Sequence, residues 1–258
     1  TPVRVQLLGN HLDALAANAQ RAITLGSDGI DLNFGCPSKT VNRSQGGAVL
    51  LREPDTLYQV VRAVREALPA HLVVSAKMRL GYDDTELMLD NARAIADAGA
   101  TELTVHARTR AQGYAPPAHW HELARIRAAI TIPLIANGDV WTPADYRACR
   151  QIAGTPDIML GRGAIRHPDL ARRIRDNDET PMAWARLSGL IAQFWREVRR
   201  DMPEKYCAGR LKQWLNHLRA VHPDAEHLWQ RVRAERSLAA LDTLIRALEA
   251  NPEGMTES

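Results

Sequence analysis

Residues 132–163, IPLIANGDVWTPADYRACRQIAGTPDIMLGRG, contain a complete strand–helix–strand unit. The apolar run at 132–136 predicts one buried strand, and the run at 157–160 predicts the next. Between them, Thr142-Pro143 predicts a helix start, because threonine caps unpaired backbone N–H groups and proline is tolerated in the first turn. Two strands joined through a helix run parallel, so this stretch predicts an α/β fold.

The same alternation of strand and helix runs through most of the chain. Apolar runs of strand length predict strands at residues 3–8, 29–34, 72–77, 102–106, 132–136 and 157–160. Apolar residues three and four apart predict helices at residues 12–24, 54–68, 87–98, 120–129 and 142–152. The strands show little alternation of polar and apolar residues, which predicts burial on both faces, as in a parallel sheet. Residues 1–176 are therefore predicted to form six βα units.

Two folds are built from repeated βα units, the open doubly wound sheet and the closed eight-stranded barrel. The spacing between predicted strands is close to the roughly 30 residues per unit of a closed barrel. We therefore predict a TIM (β/α)8 barrel that lacks its first two βα units in this sequence. From Pro181 on, four helices are predicted, at residues 181–200, 205–221, 223–234 and 236–250. They indicate an all-helical C-terminal domain, so the predicted domains are 1–180 and 181–258.

Composition excludes several classes of protein. The 258 residues are 45% hydrophobic and 24% charged with a net charge of +3, which predicts a folded chain rather than a disordered one. No apolar run approaches the roughly 18 residues of a membrane span, and these residues show no signal-peptide pattern. Three cysteines are too few for a disulfide scaffold and indicate a reducing compartment. We therefore expect a cytoplasmic protein with no membrane contact and no metal site.

Ligands of α/β barrels bind at the carboxyl ends of the strands, and these strands end in polar, charged or glycine residues. The turns Asn137-Gly138-Asp139 and Gly161-Arg162-Gly163 follow what would be the seventh and eighth strands, where phosphate sites are common. Backbone N–H groups at a helix start and a guanidinium suit a phosphate monoester. Each turn taken alone could instead be a tight turn with a solvated arginine.

Four other strand-end residues have two interpretations each. Cys36, in the loop after the second strand, is either a nucleophile or proton donor, or a small apolar residue of the core. Lys77 and Arg79 share one face of a strand, which indicates either an anionic ligand or an exposed strand end. His106 either binds the polar edge of a ligand or is satisfied by neighbouring groups.

The predicted helical domain carries a basic segment, and residues 205–219 contain no acidic residue. Within it, Arg210, Lys212 and Trp214 combine positive charge with an aromatic ring, which suits RNA phosphates and a stacked base. The alternative interpretation is a solvated helix face with Trp214 in the core.

Five motifs, in order along the chain, resemble those of the tRNA-dihydrouridine synthases. They are Asn33-Phe-Gly-Cys36-Pro-Ser-Lys-Thr-Val41, Lys77-Met-Arg79-Leu, Val105-His106-Ala-Arg108-Thr, Ile135-Ala-Asn137-Gly138-Asp139 and Met159-Leu-Gly161-Arg162-Gly163. The resemblance runs across residues 3–176, and the helical tail also fits it. The first motif is most similar to that of the bacterial C-type, which implies uridine 16 of the tRNA D-loop as the target.

The resemblance implies an FMN-containing barrel that is reduced by NADPH, followed by a helical domain that binds tRNA. It implies hydride transfer to C6 of a uracil, with Cys36 as the acid that protonates C5. It implies flavin contacts for Gln6, Lys77, His106, Asn137, Gly138, Asp139, Gly161 and Arg162. It implies substrate contacts for Asn33 and Arg79, and tRNA contacts for Arg210, Lys212 and Trp214. A monomer is expected.

The sequence departs from the family at its front, where the family has a strand and an Ala-Pro-Met-type loop that packs on the flavin. Two alternatives therefore stay open. One is a non-catalytic RNA-binding remnant, and the other is an FMN barrel that reduces a free pyrimidine. The basic helical segment argues against the second, because a small substrate needs no such surface.

Overall fold

The computed structural model describes residues 2–252, which form two compact units. The first unit takes in the chain up to Val140 and Ala144–Gly161, and the second takes in Trp141–Pro143 and the chain from Arg162 on. Each unit has a hydrophobic core of its own. No helix within the described range is long and apolar enough to cross a membrane.

The first unit is built on one sheet, which has six strands in the described residues. They are β1 (Val5–Leu7), β2 (Gly29–Phe34), β3 (Val73–Arg79), β4 (Glu102–His106), β5 (Leu134–Asn137) and β6 (Ile158–Met159). The strands lie side by side in sequence order, each parallel to the next. A doubly wound sheet changes its strand order at a switch point, whereas a barrel does not. The predicted barrel class is confirmed, with six strands of the eight-stranded plan in this unit.

Helices alternate with these strands. They are α1 (Leu12–Thr24), α2 (Lys39–Arg43), α3 (Pro54–Glu66), α4 (Met88–Asp97), α5 (Trp120–Ala129) and α6 (Pro143–Ala153), with a 3₁₀ helix at Gly47–Arg52. α3 shows how the sequence pattern predicts a helix. It begins at Pro54 and buries four apolar residues on one side, Leu57, Val60, Val61 and Val64. α2 and the 3₁₀ helix were not predicted, because such short segments have no room for a periodic apolar face.

The two faces of the sheet differ in polarity, and the prediction of burial on both faces with little alternation is wrong for β2. In that strand Ile30, Leu32 and Phe34 are fully buried, whereas the alternating Asp31 and Asn33 are only partly buried. Successive side chains of a strand point to opposite faces. One face of the sheet therefore belongs to the apolar core, and the other carries polar groups that can meet a ligand.

The second unit is helical throughout its described residues. Its helices are α7 (Arg162–Arg166), α8 (Leu170–Asp176), α9 (Trp184–Asp201), α10 (Glu204–Leu218), α11 (Pro223–Val232) and α12 (Leu238–Ala250). The last four agree with the four predicted helices, and their buried faces share one core that includes Ile191, Leu211, Leu228 and Ile245.

The second unit begins before residue 180, where the sequence predicted the end of the catalytic domain. α7 and α8 are short helices that the sequence pattern did not reveal, and both belong to this unit. One contact that joins α7 to the long helices is the indole N–H of Trp214, which donates to the carbonyl of Ile165 at 3.1 Å. The functional boundary at residue 180 stays a prediction.

Candidate active site

The strand register brings the predicted strand-end residues of the first unit onto one face of the sheet. Asn33 is paired with Lys77 across β2 and β3, and His106 is paired with Asn137 across β4 and β5. Gln6 is paired with the residue two positions before Asn33, so it shares the same face. Paired residues of parallel neighbours point the same way, so side chains from five strands converge at the carboxyl edge.

A chain of hydrogen bonds orders the first part of this face. Asn33 Nδ2 donates to Gln6 Oε1 at 2.8 Å, and Gln6 Nε2 donates to Asp31 Oδ2 at 2.6 Å. Ser75 Oγ donates to the other oxygen of Asp31 at 2.8 Å. The backbone N–H of Gly35 donates to Asn33 Oδ1 at 2.9 Å. The amide groups of Gln6 and Asn33 are therefore held in defined orientations. The sequence predicts no site role for Asp31, because this residue lies within a run of mostly apolar residues.

Lys77 places a positive charge on this face. It lies partly buried in β3, and no side chain among residues 2–252 forms a hydrogen bond or ion pair with its ammonium group. Burial lowers the pKa of Lys77, the nearby positive charge of Arg79 lowers it further, and Asp31 opposes both effects. A partly desolvated ammonium without a protein partner fits an anionic ligand or a developing negative charge.

We expect Lys77→Met to raise the free energy of unfolding of the cofactor-free protein at pH 7, by about 1 kcal/mol. Because the pKa of Lys77 is lowered on folding, the unfolded chain binds this proton more strongly. Wild-type stability therefore rises with pH between that lowered pKa and the ordinary value of 10.5. The advantage of the variant should shrink when urea unfolding is measured at pH 10.

The matched control is Lys39→Met, which changes an exposed lysine at the start of α2. It should leave the free energy of unfolding nearly unchanged at both pH values. A Lys77→Met protein that is less stable than wild type at pH 7 would show that the ammonium group is stabilised in the folded chain by a partner.

Cys36 lies on a tightly held segment, the cysteine loop (residues 35–47). Its thiol is partly buried and forms no disulfide. Its carbonyl accepts hydrogen bonds from the N–H of Ala48 at 3.1 Å and from Asn42 Nδ2 at 2.9 Å. Gly47, with φ of +67°, passes so close that a Cβ there would lie 2.9 Å from both the Cβ and the carbonyl oxygen of Cys36. The cysteine is therefore held in position from three sides.

Arg79 is buried, with 2% of its surface exposed, and its guanidinium is directed at backbone carbonyls. Its Nε donates to the carbonyl of Gly35 at 2.9 Å, and its Nη1 donates to the carbonyls of Thr109 at 3.1 Å and Gly113 at 2.9 Å. Its guanidinium also lies 5.2 Å from the centre of the Tyr114 ring. Arg79 thus joins the cysteine loop to the segment after β4. The substrate contact that the sequence predicted for it stays a prediction.

The turn after β5 approaches His106 closely. Gly138 has φ of +124°, and a Cβ there would lie 3.1 Å from Cδ2 of the His106 ring. Glycine is needed here for both its backbone conformation and its small size. Asn137 Nδ2 donates to the carbonyl of Met159 at 2.8 Å, which fixes the amide of Asn137 against β6.

The carboxylate of Asp139 is directed at protein groups. It forms an ion pair with Arg108, which is completely buried, and accepts the N–H of Ala118 at 3.0 Å. A carboxylate repels phosphate, so any contact of Asp139 with a phosphate would come from its backbone. Arg108 lies within one of the five motifs, but the sequence predicts no role for it. Nothing in the neighbouring residues distinguishes a buried arginine from a solvated one.

Arg162 belongs to the second unit, and Gly161 ends the first. The guanidinium of Arg162 lies 5.2 Å from the centre of the Trp141 ring, and that of Arg166 lies 4.5 Å from it. The indole therefore orders two arginines at the start and the end of α7. The phosphate contact that the sequence predicts for Arg162 stays a prediction.

The three predicted tRNA residues of α10 differ in exposure and contacts. Arg210 is exposed, with Nη1 donating to Gln213 Oε1 at 3.0 Å. The ammonium of Lys212 donates to the carbonyl of Glu235 at 2.6 Å, and the indole N–H of Trp214 donates to a carbonyl of α7. Arg210 is thus placed to meet a ligand as it stands, whereas the polar atoms of Lys212 and Trp214 support the unit itself.

Comparison with known sequences decides the family. The family described as "Dihydrouridine synthase (Dus)" matches residues 1–242. The chain belongs to the dihydrouridine synthase family. It is 51% identical over 249 residues to the tRNA-dihydrouridine(16) synthase of Aquipseudomonas alcaligenes, covering 95% of this chain and 79% of that protein. It is 45% identical to the protein of the same name in Shewanella oneidensis, covering 96% and 78%.

Among solved structures, the chain is similar to morphinone reductase in complex with tetrahydroNAD. The TM-score is 0.48 at 21% identity, with 67% of this chain and 50% of that chain covered. Family membership confirms the resemblance drawn from the five motifs and the predicted oxidoreductase class. A dihydrouridine synthase is a flavin-dependent enzyme, and the residues at the strand ends can be tested against that cofactor.

The first unit fits a flavin. Lys77 offers a positive charge that no described residue pairs with, and Gln6 and Asn33 offer amide groups that neighbouring side chains orient. At Gly138 the absence of a side chain lets the buried turn pack closely against the His106 ring. A flavin ring has a polar edge that takes such donors and is tuned by nearby positive charge. No group of His, Cys, Asp or Glu side chains within residues 2–252 could hold a metal ion.

Proposed function

We propose that this chain reduces uridine 16 in the D-loop of tRNA to 5,6-dihydrouridine, with FMN as cofactor and NADPH as reductant. The observation that carries the proposal is the placement of Cys36. Its partly buried thiol lies on a hydrogen-bonded loop at the same sheet edge as Lys77, which has no bonded partner among the described residues. Support for the target comes from relatives up to 51% identical that are named tRNA-dihydrouridine(16) synthase.

The reaction adds one hydride and one proton across the C5–C6 bond of uracil. FMN, when bound and reduced by NADPH, supplies the hydride for C6. Cys36 gives the thiol proton to C5, and the resulting thiolate regains a proton from solvent, so the enzyme returns to its starting state. Hydrogen bonds to its carbonyl hold the backbone of Cys36 in place, which narrows the positions that the thiol can take.

Each remaining site residue has a part in this proposal. Lys77 and His106 stand beside the flavin ring with Gln6, and they place positive charge and hydrogen-bond donors at its polar edge. The turns at Asn137-Gly138-Asp139 and Gly161-Arg162 hold the ribityl chain and phosphate. Asn33 and Arg79 contact the uracil. Arg210, Lys212 and Trp214 form part of the surface that binds tRNA. A monomer that acts in the cytoplasm completes the proposal.

The test is a reconstituted reaction with the chain, FMN, NADPH and an unmodified tRNA transcript. We expect a flavin absorbance band in the protein after desalting, and dihydrouridine at position 16 when the product is digested and analysed by mass spectrometry. A transcript with cytidine at position 16 is the matched control and should show no reduced base.

Other outcomes would replace the proposal. Reduction of free uridine or uracil with no product on tRNA would indicate a small-molecule reductase. A folded protein that binds tRNA but retains no flavin would indicate an RNA-binding remnant. Dihydrouridine at another position would keep the chemistry and change the target.

A further inference from the structure

Arg108 is the one arginine with a completely buried side chain among residues 2–252, and it contacts three partners. It forms an ion pair with the carboxylate of Asp139, and its Nε donates to the carbonyl of Ala115 at 2.6 Å. Its Nη1 lies 3.3 Å from Nε2 of the His106 ring. Burying a guanidinium costs free energy unless its N–H donors find acceptors, so these three contacts are needed to keep Arg108 in this position.

The chemistry of the Arg108–His106 contact sets the state of the imidazole. Guanidinium is a donor at every nitrogen and has no acceptor. Nε2 of His106 must therefore accept the hydrogen bond with its lone pair. In a neutral imidazole the proton is then on Nδ1, and a doubly protonated ring would turn an N–H toward a fixed positive charge.

We propose that Arg108 is a positioning residue that keeps His106 neutral and protonated at Nδ1. Two neighbouring residues hold Arg108 and His106 in this arrangement. Asp139 holds the guanidinium in place, and Gly138 closes on the ring, since a Cβ there would lie 3.1 Å from its Cδ2. The ring of Tyr114 flanks His106 with 5.9 Å between the ring centres. His106 therefore presents one defined hydrogen-bond donor, Nδ1–H.

This inference rests on the proposed function for its consequence. If FMN binds at the strand ends, an imidazole fixed in one tautomer would give the flavin edge a single, unchanging hydrogen-bonding environment. An imidazole that exchanged its two protonation sites would offer an acceptor there for part of the time. Arg108 thus acts on the cofactor through His106, without touching it.

The first experiment measures the imidazole directly in the wild-type protein. Long-range ¹H–¹⁵N correlation spectra at pH 7.5 should show a neutral ring protonated at Nδ1, assigned to His106 by its loss in a His106→Gln sample. A ring protonated at Nε2, or an imidazolium, would overturn the proposal. The spectrum needs no flavin, so it decides the tautomer even if the proposed function fails.

The second experiment removes the contact. Arg108→Lys keeps the positive charge opposite Asp139 but lacks the planar fork that reaches His106 and Ala115 together. We expect the FMN dissociation constant, measured by quenching of flavin fluorescence, to rise about tenfold. The same spectra should show an Nε2-protonated population of His106.

Arg110→Lys is the matched control for the second experiment. Arg110 lies two residues on, with its guanidinium 5.0 Å from the Tyr82 ring, and should leave both readouts unchanged. An Arg108→Lys protein with wild-type FMN affinity and an unchanged Nδ1–H signal would overturn the positioning role. Wild-type protein that binds no FMN would instead overturn the proposed function, and the spectrum would still decide the tautomer.

Discussion

Cys36→Ala is expected to lower the rate of dihydrouridine formation by about 10²- to 10⁴-fold, the usual contribution of a positioned proton donor. The thiol is the only group that this substitution removes, and the backbone of the cysteine loop is held by hydrogen bonds that alanine retains. FMN and tRNA dissociation constants should therefore stay within about twofold of wild type. Single-turnover oxidation of reduced enzyme by tRNA, followed by flavin absorbance, measures the step itself.

Cys149→Ala is the control for loss of a thiol. Cys149 is fully buried in α6, where desolvation and the charge of Asp145 raise its pKa to about 12. A thiol of that kind is inert packing, so its loss should lower stability and leave the turnover rate unchanged. A Cys36→Ala protein that reduces tRNA as fast as wild type in a single turnover would remove Cys36 from the role of acid.

Gly47→Ala is expected to lower kcat by about 100-fold, the effect of a displacement of about 1 Å at a reacting group. The added methyl would lie 2.9 Å from both the Cβ and the carbonyl oxygen of Cys36 and 3.1 Å from Val41 Cγ1. Because the carbonyl oxygen of Cys36 is backbone and cannot turn aside as a flexible side chain does, the cysteine loop has to move. FMN affinity should change little, since none of the residues proposed to bind flavin lies in the cysteine loop. Steady-state kinetics with tRNA and a flavin titration test this together.

Gly154→Ala controls for the backbone strain. Gly154 has φ of +69°, against +67° for Gly47, and its added methyl would meet nothing closer than 3.8 Å. Both variants carry the penalty of a left-handed alanine, roughly 1–2 kcal/mol, so both should lose similar stability from that source. A Gly47→Ala enzyme that loses no more activity than Gly154→Ala would show that the contact with Cys36 does not position the thiol.

The regular part of the fold could be predicted from local pattern. β2, β4, α1 and α5 have the bounds that the sequence predicted, because apolar runs and helical periodicity reside in neighbouring residues. The short elements α2, α7 and α8 could not be predicted in this way. Five to seven residues are too few to show a period, and these helices exist because longer elements hold them.

For the candidate site, the sequence likewise predicts where residues lie but not what each of them contacts. The expectation that Gln6, Lys77 and His106 meet at one edge follows from parallel strands and needs only their positions at strand ends, and the register agrees with it. Their roles toward flavin and tRNA stay predictions. The prediction that β2 is buried on both faces is wrong because it rests on the apolar residues of the run and leaves Asp31 out of account.

The sequence by itself determined the α/β class, the helical C-terminal part, the family and the sheet edge at which the predicted site residues meet, since strand ends and motifs are local properties of the chain. Only the tertiary structure decided what each polar group does there. It directed the Arg79 guanidinium at backbone carbonyls and placed Arg108 beside Asp139 and His106, whereas Lys77 has no bonded partner within residues 2–252. The physical reason is that Arg79 and Arg108 have partners 30 or more residues away in the sequence, which meet them only when the sheet has formed.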